Sequence, residues 1–75
     1  MSETRVSSIQ ELANFIKNRR KELKLTQEKL ANHAALTRAS IINIENESSD
    51  IKFSSLIKLV NLLGYELVIK RRGAK

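Results

Sequence analysis

The chain has no cysteine, no proline and no tryptophan, one histidine, two glycines and only three aromatic residues, Phe15, Phe53 and Tyr65. Without cysteine, neither a disulfide nor a thiolate metal site can brace the fold. His33 alone cannot build a metal cluster, so no metal and no cofactor is expected. Three aromatics are too few for a platform that stacks single-stranded bases. No apolar run approaches the ~18 residues of a membrane span, and no secretory signal is visible. The expectation is a soluble cytoplasmic protein with no membrane association.

Against these absences stands a surplus of positive charge. Fourteen Lys and Arg oppose eight Asp and Glu, a formal net charge of +6 on 75 residues. So much charge on one small domain favours an anionic partner, nucleic acid first and an anionic membrane surface second; a merely solubilising surface is the plain alternative. With the aromatics so few, duplex DNA is the better match. A chain this short buries only about 60% of its unfolded surface, so a dimer would relieve marginal stability.

Residues 1–7 are polar and expected to be flexible. Ser8 and Glu11 form a capping box that opens a first helix, on which Ile9, Leu12, Phe15, Ile16 and Leu23 share one stripe near a 3.6-residue period. Arg20 falls within that stripe. An arginine there requires a carboxylate from another helix, because an unpaired buried charge is costly. Thr26 caps a short second helix running to about His33, with Leu25 as a staple and Leu30 and Ala31 inward. Thr37 caps a third helix. Its Ile41, Ile44 and Glu45 share a face, at ~0°, ~300° and ~40° from Ile41. Glu45 is therefore the expected partner of Arg20.

The polar stretch 46–50 ends this helix. Leu56, Leu59, Val60, Leu62 and Leu63 mark a fourth amphipathic helix whose first turn is ambiguous, since Lys52 is a poor cap; Gly64 closes it. Residues 65–69, YELVI, read as a short strand. A lone strand of that length is unstable and no second strand is visible, so it is expected to pair with its copy across a two-fold dimer, through Tyr65, Leu67, Val68 and Ile69. An irregular extension packed on the helices is the alternative. Residues 70–75 form a basic tail.

Two short capped helices joined by a turn, the second presenting a mixed polar and methyl face, describe a helix-turn-helix. Ala39, Ile42, Asn43 and Asn46 project at ~160°, ~100°, ~200° and ~140° from Ile41, with Arg38 at the edge of that face. Arg suits guanine, Asn suits adenine, and Ala or Ile suits the thymine methyl in the major groove. Arg38, Ala39, Ile42 and Asn43 are thus candidates for base reading, and Thr37 and Ser40 for phosphate contact. Ile42 equally suits a partner contact or an ordinary exposed apolar position.

The segment RRKELKLTQEKLANHAALTRASIINIENE resembles the Cro/cI-type helix-turn-helix family, also called XRE, over roughly residues 12–64. The matching elements are Leu25-Thr26-Gln27, Leu30-Ala31, and Ile41, Ile44, Glu45 and Asn46 at the family spacing. The resemblance implies an all-α, lambda-repressor-like bundle of four to five helices. It further implies that Gln27 clamps a phosphate, that Asn46 binds the DNA backbone, that Arg38, Ala39 and Asn43 read bases, and that Arg20 and Glu45 form a buried ion pair. The sequence departs from the family at Ala35 and Lys24, where Gly is common, and lacks the usual Gly and Pro after the third helix. Ala39 replaces a longer polar residue, leaving more of the specificity to Arg38, Asn43 and DNA shape.

The helix ending in Leu63-Gly64 followed by YELVIKRR is similar to HipB-type antitoxins, dimeric repressors that bind HipA-type kinase toxins. The expected partners are therefore palindromic double-stranded DNA, a second copy of the chain, and a HipA-type kinase toxin. A stand-alone phage-type or other XRE repressor is the alternative, and an antitoxin that neutralises a toxin without binding DNA is the rival from another class. No catalytic residue is expected, since His33 has no triad or metal company.

Overall fold

The computed structural model describes residues 3–46 and 51–73. Among them are four helices: α1 (Ile9–Glu22), α2 (Gln27–Ala34), α3 (Arg38–Glu45) and α4 (Phe53–Leu62). None is long and apolar enough to cross a membrane. The expected N-caps hold: Ser8 Oγ accepts from Glu11 N–H, Thr26 Oγ1 from Lys29 N–H and Thr37 Oγ1 from Ser40 N–H. Glu11 returns its carboxylate to the N–H of Ser7, one residue earlier than a standard capping box. Helix α4 starts after Lys52, which makes no side-chain cap. Residues 47–50, most of the stretch expected to break the third helix, lie outside the described residues, as does Lys75.

Ile16, Leu30, Ile41, Leu59 and Leu63 are fully buried and draw all four helices onto one core. Each such side chain contributes about 1.5–3 kcal/mol on burial. The stripe expected on α1 needs correction at both ends. Ile9 and Leu23 are 44% and 41% exposed, while Ala13, Ile16 and Arg20 are buried. Only Ala13, Ile16 and Arg20 of α1 are buried, so its first residue and its C-cap lie outside the core. Leu62 is likewise exposed, and the leucine beside it, Leu63, takes the inward position.

Three helix ends close in the same way. After α1, Lys24 N–H bonds Lys21 O and Leu25 N–H bonds Arg20 O; after α2, Ala35 N–H bonds Asn32 O and Leu36 N–H bonds Ala31 O; after α4, Gly64 N–H bonds Asn61 O and Tyr65 N–H bonds Val60 O. These paired 5→2 and 6→1 bonds are Schellman motifs, which require a left-handed residue. Gly64 supplies it at no steric cost, but Lys24 (φ 59°) and Ala35 (φ 56°) must adopt it with a Cβ. Lys24→Gly and Ala35→Gly should therefore each stabilise the domain by about 1 kcal/mol, raising Tm by about 4–8 °C. Gly64→Ala should lose a similar amount. Its added Cβ would meet only Arg19 Nη2, at an ordinary 3.5 Å, so the loss comes from the backbone alone. Thermal unfolding of the three variants tests this; a destabilised Ala35→Gly would refute it.

The expected strand at 65–69 is not present in the single chain. Residues 65–70 form neither helix nor strand, and beyond the Tyr65 N–H to Val60 O bond they make no backbone hydrogen bond among the described residues. The physical reason is the one that made the strand doubtful alone: a ladder needs a second edge, and the described part of this chain offers none. Tyr65 departs further from the expectation. It is half-buried in its own chain, with its ring edge-on to Phe15 at 4.8 Å and 84°. Leu67, Val68 and Ile69 are exposed, Ile69 at 98%.

Candidate nucleic-acid interface

The orientation of α3 is set by a polar lock beneath it. Arg20 Nε donates to Glu45 Oε2 at 2.7 Å and Nη2 donates to Glu45 Oε1 at 3.2 Å, a bidentate pair whose side chains are only 10% and 2% exposed. The third arm of the fork, Nη1, donates to Leu25 O at 2.7 Å. Gln27 Nε2 donates to Glu45 Oε1 at 3.1 Å. One guanidinium therefore ties α1 to the turn after it and to the end of α3, and the carboxylate takes in the first residue of α2. Among the described residues, no buried side-chain nitrogen or oxygen lacks a partner, the condition under which a buried ion pair is tolerated.

With Ile41, Ile44 and Glu45 turned inward, the opposite side of α3 is left to solvent. Arg38, Ala39 and Asn43 are exposed, and Ile42 is half-buried at the edge of that face. Asn46 is the exposed C-cap, its N–H bonded to Ile42 O. Thr37 and Ser40 are adjacent, their hydroxyls 3.0 Å apart, at the N-terminal end of the helix. Seven of the eight candidate residues thus cluster on or beside α3; the eighth, Gln27, lies across from it at the start of α2.

Two clefts flank α3. An open one of about 480 Å³ lies between the N-terminal ends of α2 and α3, lined by Arg20, Thr26, Gln27, Glu28 and Arg38. It places Gln27 beside Arg38, with one amide donor engaged by Glu45 and the rest of the carboxamide available. A smaller one of about 170 Å³ separates α3 from the start of α4, where Ser40 and Asn43 face Lys52 and Ser55. Lys52 and Ser55 were not among the residues the sequence singled out. Their only signal was the uncapped start of α4, which by itself does not say which neighbour they face. His33 is exposed at the end of α2, away from either cleft lining.

Capped helices, a tight turn and an outward second helix define a helix-turn-helix. Residues 13–68 match the model of the family described as helix-turn-helix domain. The chain belongs to that family, in the Cro/cI or XRE-type form that its residues resemble. No curated protein matches it in sequence. Among solved structures it is similar to a chain of a HipB–O2 20-mer complex, with a TM-score of 0.84, 25% identity, and coverage of 95% of this chain and 99% of that one. It is also similar to a chain of a HipB–O1–O2 complex (TM-score 0.82, 25% identity, coverage 92% and 100%). A chain of a HipA–HipB–O2–O3 complex matches at TM-score 0.83 and 24% identity, with coverage of 93% and 99%.

Proposed function

We propose that the protein is a sequence-specific double-stranded DNA-binding repressor that works as the antitoxin and autorepressor of a HipBA-type toxin–antitoxin operon. The carrying observation is the free outer face of α3, held by the Arg20–Glu45–Gln27 lock, in a fold shared along nearly its whole length with HipB in complexes with 20-mers. Arg38, Ala39, Ile42 and Asn43 read bases from the major groove. Gln27, Thr37, Ser40 and Asn46 contact phosphates, and the +6 charge supplies a salt-dependent attraction to the backbone. The protein acts by binding, without catalysis, in the cytoplasm where the chromosome lies.

The active form is a homodimer. Support comes from residues 65–70, which beyond Tyr65 have no backbone hydrogen-bond partner among the described residues and whose Val68 and Ile69 are 67% and 98% exposed. Two such segments satisfy each other as an antiparallel ribbon about a two-fold axis. The dimer presents two copies of α3 to successive major grooves, ~34–36 Å apart, on a palindromic operator. The second partner is a HipA-type kinase toxin. Co-expression with the adjacent reading frame tests that role: a kinase-like toxin neutralised by this chain supports it, whereas a free-standing gene points to a plain repressor.

Base reading is tested by titrating labelled operator and a scrambled duplex of equal length. Arg38→Ala and Asn43→Ala should each weaken operator binding by about 1–3 kcal/mol, and Asn43→Ala should leave binding to the scrambled duplex nearly unchanged. Arg38→Ala should also lose a little general affinity with its charge. Equal losses on both duplexes would remove these residues from the reading head. Absence of any preference for the protein's own promoter would favour a toxin-binding role without DNA.

A further inference from the structure

Arg19, next to the arginine of the lock, makes a separate set of contacts on an adjoining face of α1. Its Nε donates to Leu63 O at 2.9 Å, capping the end of α4. Helix α4 has no basic residue in its own last turn, so Arg19 brings the complementary charge to that C-terminus from α1. The guanidinium also lies 5.3 Å from the centroid of the Tyr65 ring, and Nη1 is held by Glu22 at 3.1 Å. Tyr65 is therefore gripped by Arg19 and by the edge-on ring of Phe15, two residues one turn apart on α1.

The placement matters because Tyr65 is where the chain leaves the helical body. With a left-handed residue before it, at Gly64, and residues 66–69 after it without backbone hydrogen bonds among the described residues, the pose of Tyr65 sets the direction in which that segment departs. Two consecutive arginines on α1 thus hold two different parts: Arg20 holds α3, and Arg19 holds the root of the extension. We propose that Arg19 is a positioning residue that, through Leu63 O and the Tyr65 ring, fixes the ribbon relative to the reading helices and so sets the half-site spacing the dimer accepts. The proposal rests on the dimeric DNA-binding reading above.

The test begins with selection of the operator from random duplexes, followed by versions with one base pair inserted or deleted between the half-sites. Each such change moves a half-site by ~3.4 Å and turns it by ~35° about the duplex. The intact protein should lose about tenfold or more in affinity on either altered duplex. Arg19→Ala should bind all three spacings within about threefold of one another, while keeping intact affinity for a duplex carrying one half-site. Tyr65→Leu should behave like Arg19→Ala, and Tyr65→Phe, which keeps the ring, should retain the spacing penalty. A full tenfold penalty in Tyr65→Leu, or in folded Arg19→Ala, would overturn the proposal.

A readout without DNA guards against an unfolded variant and separates the two ideas. The chain has no cysteine, so Asn32→Cys, at an exposed position on α2, takes a single spin label per protomer. A narrow label-to-label distance distribution is expected for the dimer and a broadened one with Tyr65→Leu. Equal widths would refute the positioning role. Absence of any interprotomer distance in the otherwise intact chain would instead sink the dimeric reading itself.

Discussion

Replacing Glu45 by alanine should destabilise the folded chain by about 3–5 kcal/mol, because it leaves the Arg20 guanidinium buried without its counter-charge. At roughly 0.05–0.15 kcal/mol per residue, a domain of this size has about 4–11 kcal/mol in total, so the loss takes much of it. The effect exceeds that of a surface pair because the partners are 10% and 2% exposed and share a bidentate geometry. Replacing both partners, Arg20→Met with Glu45→Leu, should recover most of the loss. The groups left behind, Leu25 O and Gln27 Nε2, belong to half-buried residues within reach of water. Urea unfolding of the single and double variants measures both quantities. A single-variant loss below about 1 kcal/mol would mean that the lock does not hold α3. The recovered double variant carries a second expectation: with Glu45 gone, Gln27 is released and α3 is less firmly set, so DNA selectivity should fall even where stability returns.

Truncation after Gly64 should convert the protein to a monomer at low micromolar concentration. Operator affinity should fall by about 10²–10⁴, the usual gain from linking two binding events. The helical core stays intact in this variant, since among the described residues the buried ones all precede Gly64. Removal of Tyr65 also deletes the contacts with Phe15 and Arg19. The double substitution Val68→Lys with Ile69→Lys separates the two effects by keeping that anchor while placing like charges across the ribbon axis. Sedimentation equilibrium and operator titration should give the same monomeric, weakened behaviour for both variants. A truncated chain that remains dimeric would exclude the ribbon and require another dimer surface.

Much of this molecule could be read from its residues, and the parts that could not share a cause. The three side-chain N-caps, the inward faces of α2 and α3, and the meeting of Arg20 with Glu45 follow from local chemistry and helical periodicity. An arginine and a glutamate stranded on apolar faces have few other places to go. The ends of the α1 stripe, Ile9 and Leu23, fit the pattern yet lie outside the core, because periodicity gives a direction around a helix but not how far along it the packing extends. Tyr65 differs for a related reason: its pattern suits a strand, yet its ring packs on Phe15 and Arg19 within its own chain.

What the sequence determined by itself is the set of local elements and the sign of the charge, because caps, turns and amphipathic faces depend on residues a few positions apart. The tertiary structure decided what depends on distant ones. It placed Gln27 on the carboxylate of Glu45, opened the cleft where Asn43 faces Lys52, and put Arg19 on the carbonyl of Leu63. It also gave left-handed backbone to Lys24 and Ala35, which local preference alone would have refused. The closure of each helix onto the shared core imposed those turns, since the compact packing outweighs about 1 kcal/mol of strain at each.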